Sequence, residues 1–309
     1  MDKMIISAGS YVYVGKRSVN KDNIFFDGKI LNITESQKLY KNYINKRLNR
    51  FFAFAVCSGS GAGNMGHLAA SSVARCFRLW CSNAYRRGIQ DWKTDCNLYF
   101  RLMNKHFTRI SEENDGIQSY SCSLIVFENG TAYFANSSHS SIYLLRSGKI
   151  IQLENNCIDD QHNRTGTVAL NTNTITQPRK QEPCFECKQS IGIPFKIFPD
   201  DVIMICSKRL VKTLSEETIQ SIVKKNVGKS LSRTIELLNK AVSKTGVDDN
   251  CTVILVRNDT NKCAFEDNPM EEKDDSIIIG HNELKKLILL CVVLTIGIII
   301  NLLLLFNLQ

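Results

Sequence analysis

Two dipeptides, Asn129-Gly130 and Ser147-Gly148, constrain this chain more than any other feature. They interrupt "SCSLIVFENGTAYFAN" and "SSIYLLRSGKIIQL", runs of apolar, aromatic and β-branched residues. Such a dipeptide between two strand-like runs makes a tight hairpin, because its residues accept the positive φ that matches the twist of paired strands. The middle of the chain is therefore expected to be an antiparallel meander.

Around it, strand patterns are expected at 11–14, 24–26 and 51–57, the last an apolar run buried on both faces. Apolar residues at helical spacing predict helices over 65–86 and 92–110, and two more over 215–223 and 230–243. "DDVIMICS" and "NCTVILVR" read as further strands, and the polar stretch 154–196, with three of the five prolines, reads as a long surface excursion. Strands, helices, strands, helices and a closing strand define an α+β class with antiparallel sheets. With 309 residues and 43% apolar content, one main domain is expected, over 1–257.

The C-terminus differs. Residues 287–306 carry no charge, and a helix of that length at about 1.5 Å per residue is about 30 Å long, enough to span a bilayer core. Lys285 and Lys286 precede it and no charge comes after it. The positive-inside bias then predicts a single-pass tail anchor that leaves the N-terminal domain cytoplasmic, behind a polar, acidic linker at 258–286. Taken from Arg257, that linker has net charge −3 against +9 for the chain, which leaves +12 on the domain. So basic a body suits phosphate-bearing neighbours. Its densest stretch, "KLYKNYINKRLNR" at 38–50, is read as a solvated helical insertion and not as a nucleic-acid interface, since no nucleic-acid motif accompanies it.

Twelve cysteines scattered through apparent strands and helices, in a chain without a signal peptide, read as reduced and mostly buried thiols. Cys184 and Cys187 form a lone C-x-x-C pair with no partner pair and no adjacent histidine, which argues against a zinc or redox site.

Five stretches, in order, resemble the type 2C metal-dependent serine/threonine protein phosphatases, the PPM superfamily. "GKRSVNKDN" is similar to G-x-R-x-x-N-E-D; "AVCSGSGAGNMGHLAA" to A-D-G-M-G-G-H-x-x-G-E-x-A; "AYFANSSHSSIYLLRSGK" to the strand, G-D-S-R turn and hairpin; "DVIMICSKRLVKTLSEETI" to the segment around S-D-G-L; and "VDDNCTVILV" to the closing D-N-x-T strand. The resemblance implies two central antiparallel sheets flanked by helices, an α-β-β-α sandwich. It also implies hydrolysis of phosphoserine and phosphothreonine with two Mg²⁺ or Mn²⁺ ions, which activate a water and need several carboxylate oxygens to hold them.

The carboxylates are where this chain departs. The aspartate that bridges both metals falls on Ser58, the aspartate of S-D-G-L on Lys208, and the glutamate of the first motif on Lys21. The aspartate and arginine of the G-D-S-R turn fall on His139 and Ser141. Asp22 and Asp249 survive, as do Arg17, matching the arginine that grips the substrate phosphate, and Gly59, whose matching carbonyl reaches a metal-bound water. Formally, Lys21, Asp22, Ser58, Lys208 and Asp249 sum to zero before any ion arrives. An ammonium at a ligand position turns attraction into repulsion, where a unit pair at about 4 Å and an effective dielectric near 20 is worth about 4 kcal/mol.

The expectation is a catalytically impaired, membrane-anchored phosphatase-like protein that needs no metal cofactor. Arg17, Lys21 and Lys208 would form a phosphate-binding pocket, and Lys208 would pair with Asp249. Its partner would be a phosphorylated protein or a membrane kinase. Two alternatives stand beside it: an active Mg/Mn phosphatase in which a nearby acid, Asp248 or Asp27, completes an unusual metal site, and a scaffold for a membrane kinase or receptor.

Overall fold

The apolar pattern of the strands leaves two sheet faces to bury against each other and two to bury under helices, and the chain does both. The computed structural model describes residues 3–32, 39–113, 117–137, 140–153, 189–226 and 230–260. The expected membrane span, most of the linker, His139 and the Cys184/Cys187 pair lie outside them. No helix among the described residues is long and apolar enough to cross a membrane.

The strands are β1 (Met4–Tyr13), β2 (Asp22–Phe26), β3 (Lys29–Ile30), β4 (Tyr40–Asn49), β5 (Phe51–Gly61), β6 (Ile117–Glu128), β7 (Thr131–Ser137), β8 (Ser140–Arg146), β9 (Lys149–Gln152), β10 (Gln189–Ile191), β11 (Phe195–Lys196), β12 (Val202–Ser207) and β13 (Cys251–Asn258). One sheet runs β4-β1-β13-β12-β8-β9; the other runs β10-β7-β6-β5-β2-β3, with β11 also paired to β7. The pairings are antiparallel. Asn129, Gly130, Ser147 and Gly148 all take positive φ in the β6–β7 and β8–β9 turns, as the hairpin reading requires.

Three apolar layers result. Ile6, Phe52, Phe54, Ile125, Ile205 and Ile254 fill the space between the sheets. Helices α1 (Met65–Arg87) and α2 (Trp92–Glu113) cover the outer face of the β5–β6 sheet through Phe77, Phe100 and Phe107, all essentially inaccessible to solvent. On the other side α3 (Lys208–Thr213), α4 (Glu216–Asn226) and α5 (Leu231–Lys244) press Leu210, Val223, Ile235 and Leu238 onto β12 and β13. The described residues thus form the expected α-β-β-α sandwich. The seven cysteines among the described residues are unpaired thiols, five of them on strands or helices of these cores with no solvent access to speak of.

Two readings need correction. Within the basic stretch 38–50, residues 40–49 form not a helix but β4, an edge strand antiparallel to β1. Tyr40 and Ile44 pack on the inter-sheet core while Tyr43 packs on the opposite face. Edge strands rich in Lys and Arg resist adding a further strand, which accounts for the charge. The stretch 154–196, read as an excursion throughout, ends in β10 and β11, which pair with β7. Past the expected domain boundary at 257 the fold continues through Asp259, which is buried and bonded to Arg257 and Ser7.

Candidate functional site

The site forms where the ends of β2, β5, β12 and β13 meet. β2 and β5 pair with Asp22 opposite Ser58, so sheet register alone brings these two side chains together. Ser58 Oγ donates to Asp22 Oδ1 at 2.6 Å, and Thr252 Oγ1 on β13 donates to Asp22 Oδ2 at 2.7 Å. Both oxygens of Asp22 are therefore taken by hydroxyls. Asp22 is only 5% exposed. Burial pushes it up to about 6, and the two hydroxyls and the Arg17 charge only partly offset this.

The loop before β2 is fixed from several sides. Asn250 Oδ1 accepts from the Lys21 amide at 2.9 Å while its Nδ2 donates to Val14 O at 2.8 Å. His67 Nδ1 lies 3.1 Å from Asn20 O, and burial holds this imidazole below its ordinary pKa. Gly59 donates its amide to Lys21 O at 2.8 Å, and β5 there runs so close to α1 that a Cβ on Gly59 would stand 2.0 Å from Gly66 O. Only glycine fits.

Asp249, at the start of the closing strand, is held by two guanidiniums. Arg17 Nε lies 2.6 Å from its Oδ1, and Arg209 on α3 donates to its Oδ2. Burial raises the Asp249 carboxyl, but the Asn250 amide and the two arginines outweigh it and hold it below the usual range. The expected pair of Lys208 with Asp249 is thus replaced by Arg209 and Arg17. A longer side chain one residue further along α3 reaches the carboxylate that the motif position was expected to reach. Nor does Lys21 bridge the carboxylates: its Nζ donates to Gly61 O at 2.7 Å.

These side chains line one open cavity of about 410 Å³, with Arg17, Lys21, Lys208, Arg209 and Lys212 as its basic groups and Asp22 and Asp249 as its acids. Lys208 and Lys212 stand four apart on α3 and so share a face. Ser58, Ser60, Ser119, Ser121 and Ser207 add small polar groups to the walls. Sequence reasoning found Arg17, Lys21, Asp22, Ser58, Gly59, Lys208 and Asp249, and the structure brings all of them to this cavity. It did not single out Arg209, Lys212 or Thr252, although Thr252 stands at the threonine of the D-N-x-T match. The two acids weighed as substitute ligands are elsewhere: Asp248 pairs with Lys16 on the surface at 2.9 Å, and Asp27, beyond the far end of β2, pairs with Arg47 at 2.8 Å. Ser141 sits on β8 opposite Cys206.

The residues present do not suit a two-metal centre. Among the described residues no three His, Cys, Asp or Glu side chains converge. Hard divalent ions need several free carboxylate oxygens. Here one carboxylate is buried and accepts a hydroxyl on each oxygen, the other is ion-paired twice, and five cations face the same space.

No protein-family model and no curated protein matches the chain. Solved structures do. The serine/threonine phosphatase PstP/Ppp of Mycobacterium tuberculosis superposes with a TM-score of 0.58 at 15% identity, over 83% of this chain and 100% of that one. The catalytic domain of PstP in complex with two manganese ions gives 0.56 at 14%, over 82% and 98%. PppA, a key regulatory component of the type VI secretion system in Pseudomonas aeruginosa, gives 0.54 at 17%, over 83% and 100%. The fold is that of the PPM-type serine/threonine phosphatases.

Proposed function

We propose that this chain is a membrane-tethered phosphate-recognition module: a phosphatase fold, impaired in two-metal hydrolysis, that holds a phosphorylated side chain of a partner protein or membrane kinase. The observation that carries the reading is the cavity in which five basic side chains face two engaged carboxylates. Arg17 and Arg209 are each about two-fifths exposed despite their bond to Asp249, so both keep donors open to a ligand. Guanidinium forks and ammonium groups around one concavity match a phosphate dianion in charge and in hydrogen-bond geometry. The tether is the uncharged run 287–306, which would leave the domain on the cytoplasmic face.

Calorimetry with a phosphoserine peptide, in EDTA, tests this. The full-length protein is expected to bind, and Arg209→Ala to bind about 10- to 100-fold more weakly, the range for losing a charged hydrogen bond. Equal affinity for the unphosphorylated peptide, or indifference to Arg209→Ala, would refute it. A second reading, an active Mn²⁺ phosphatase, draws on the retained Asp22 and Asp249 and on the manganese-bound structural neighbour. It requires Mn²⁺-dependent phosphate release, which the first reading does not.

A further inference from the structure

The substitution that removes the bridging aspartate also installs a hydroxyl in a setting that activates hydroxyls. Ser58 Oγ points its proton at Asp22 Oδ1 over 2.6 Å, and Asp22 is in turn fixed through Oδ2 by Thr252 Oγ1 at 2.7 Å. A nucleophile bonded to a base, with the base oriented by a third group, is the general arrangement of covalent catalysis. Antiparallel pairing of β2 with β5 makes the contact a property of the backbone rather than of a mobile loop. The hydroxyl opens into the cavity lined by Arg17, Lys208, Arg209 and Lys212, cations placed to offset the charge of phosphoryl oxygens.

We propose that Ser58 is a phosphoryl acceptor, which takes the phosphoryl group of an acyl or aryl phosphate with Asp22 as general base and without a divalent ion. The proposal rests on the reading of the cavity as a phosphate pocket and adds a reaction to it. In the step, Ser58 Oγ forms a bond to phosphorus as the phosphorus–oxygen bond to the donor's leaving group breaks. The Ser58 proton passes to Asp22, and the electron pair of the broken bond leaves on the carboxylate or phenolate. These leaving groups depart as anions and need no proton, which is why the donor class is limited to them: among the described residues that line the cavity, Asp22 holds the Ser58 proton, Asp249 is ion-paired, and there is no other carboxyl and no imidazole to act as general acid. The product is a phosphoserine whose dianion lies among the cavity's cations.

The test uses the full-length protein in EDTA with p-nitrophenyl phosphate and, separately, acetyl phosphate. Expected are a burst of nitrophenolate of up to one equivalent per chain and, with either donor, a phosphate on the peptide bearing Ser58 by mass spectrometry. Ser58→Ala is expected to abolish both while keeping the wild-type far-UV circular dichroism and a cooperative thermal unfolding, which shows that the variant is folded. Asp22→Asn is expected to slow the burst by about a hundredfold or more, the usual worth of a general base. A wild-type protein that binds the phosphopeptide yet forms no adduct overturns this inference and leaves the pocket standing. An adduct that persists in Ser58→Ala overturns it as well. Absence of both binding and adduct removes the pocket reading together with the inference.

Discussion

Replacing Ser58 with aspartate restores the side chain expected at a bridging metal position, and the structure predicts a penalty that depends on pH. The new carboxylate would meet Asp22 where the hydroxyl now donates at 2.6 Å. Two like charges at about 4 Å with an effective dielectric near 20 repel by about 4 kcal/mol. The pair can avoid this by holding one proton, and burial already pushes Asp22 up to about 6. Protonating it at pH 7 then costs about 1.4 kcal/mol, and about the same again for each further pH unit. The destabilisation of Ser58→Asp should therefore be small at pH 5.5, about 1 to 2 kcal/mol at pH 7, and should rise toward a ceiling of about 4 kcal/mol near pH 9. Its sign comes from linkage: the folded variant holds a proton that the unfolded chain releases, so stability falls as pH rises. Urea unfolding of wild type, Ser58→Asp and the neutral, similarly sized Ser58→Asn across pH 5.5–9 measures it. A Ser58→Asp penalty that is constant with pH, or that equals that of Ser58→Asn throughout, would refute the reasoning.

Two further outcomes are expected. Gly59→Ala places a Cβ 2.0 Å from Gly66 O, a backbone atom that cannot step aside, so the variant should lose upwards of about 4 kcal/mol or fail to fold, as thermal unfolding would report. A near-neutral effect would mean that β5 and α1 do not approach so closely. Asp27 is likewise pushed up to about 6, by burial that outweighs its pair with Arg47. Because its folded pKa exceeds the unfolded value near 4, Asp27 should contribute a loss of up to about 3 kcal/mol as pH rises from 4 to 6, beside a like contribution from Asp22, and Asp27→Asn should remove about half of the combined slope. An unchanged slope in urea unfolding from pH 4 to 7 would count against it.

The parts of the fold that the sequence disclosed and the parts that it hid differ for physical reasons. The hairpins were legible because Asn129-Gly130 and Ser147-Gly148 supply the positive φ that their turns use. Helices α1 and α2 were placed within a few residues because their buried residues recur at helical spacing over more than twenty positions. β4 was not, because Tyr40, Tyr43, Ile44 and Leu48 fall at helical intervals by accident. Its two faces are both partly apolar, and a bulge opposite Ser7, where Lys46 takes positive φ, offsets the alternation that would have marked a strand. The site was found by motif position, which locates a Cα but not the reach of a side chain. Lys208 marked the right turn of α3, yet Arg209 makes the bond to Asp249. Thr252 stood at the threonine of the D-N-x-T match, but its role went unread because it exists only once β13 lies beside β1 and β12 and its hydroxyl meets Asp22.

The central question is whether this cavity recognises phosphate with its own cations or with bound metal. Titration of a phosphoserine peptide into the purified protein, once in EDTA and once in excess Mn²⁺, asks that directly. Equal affinity in both, with no phosphate released, is the expected result. Binding that appears only with manganese, accompanied by phosphate release and uptake of two ions per chain, would contradict it.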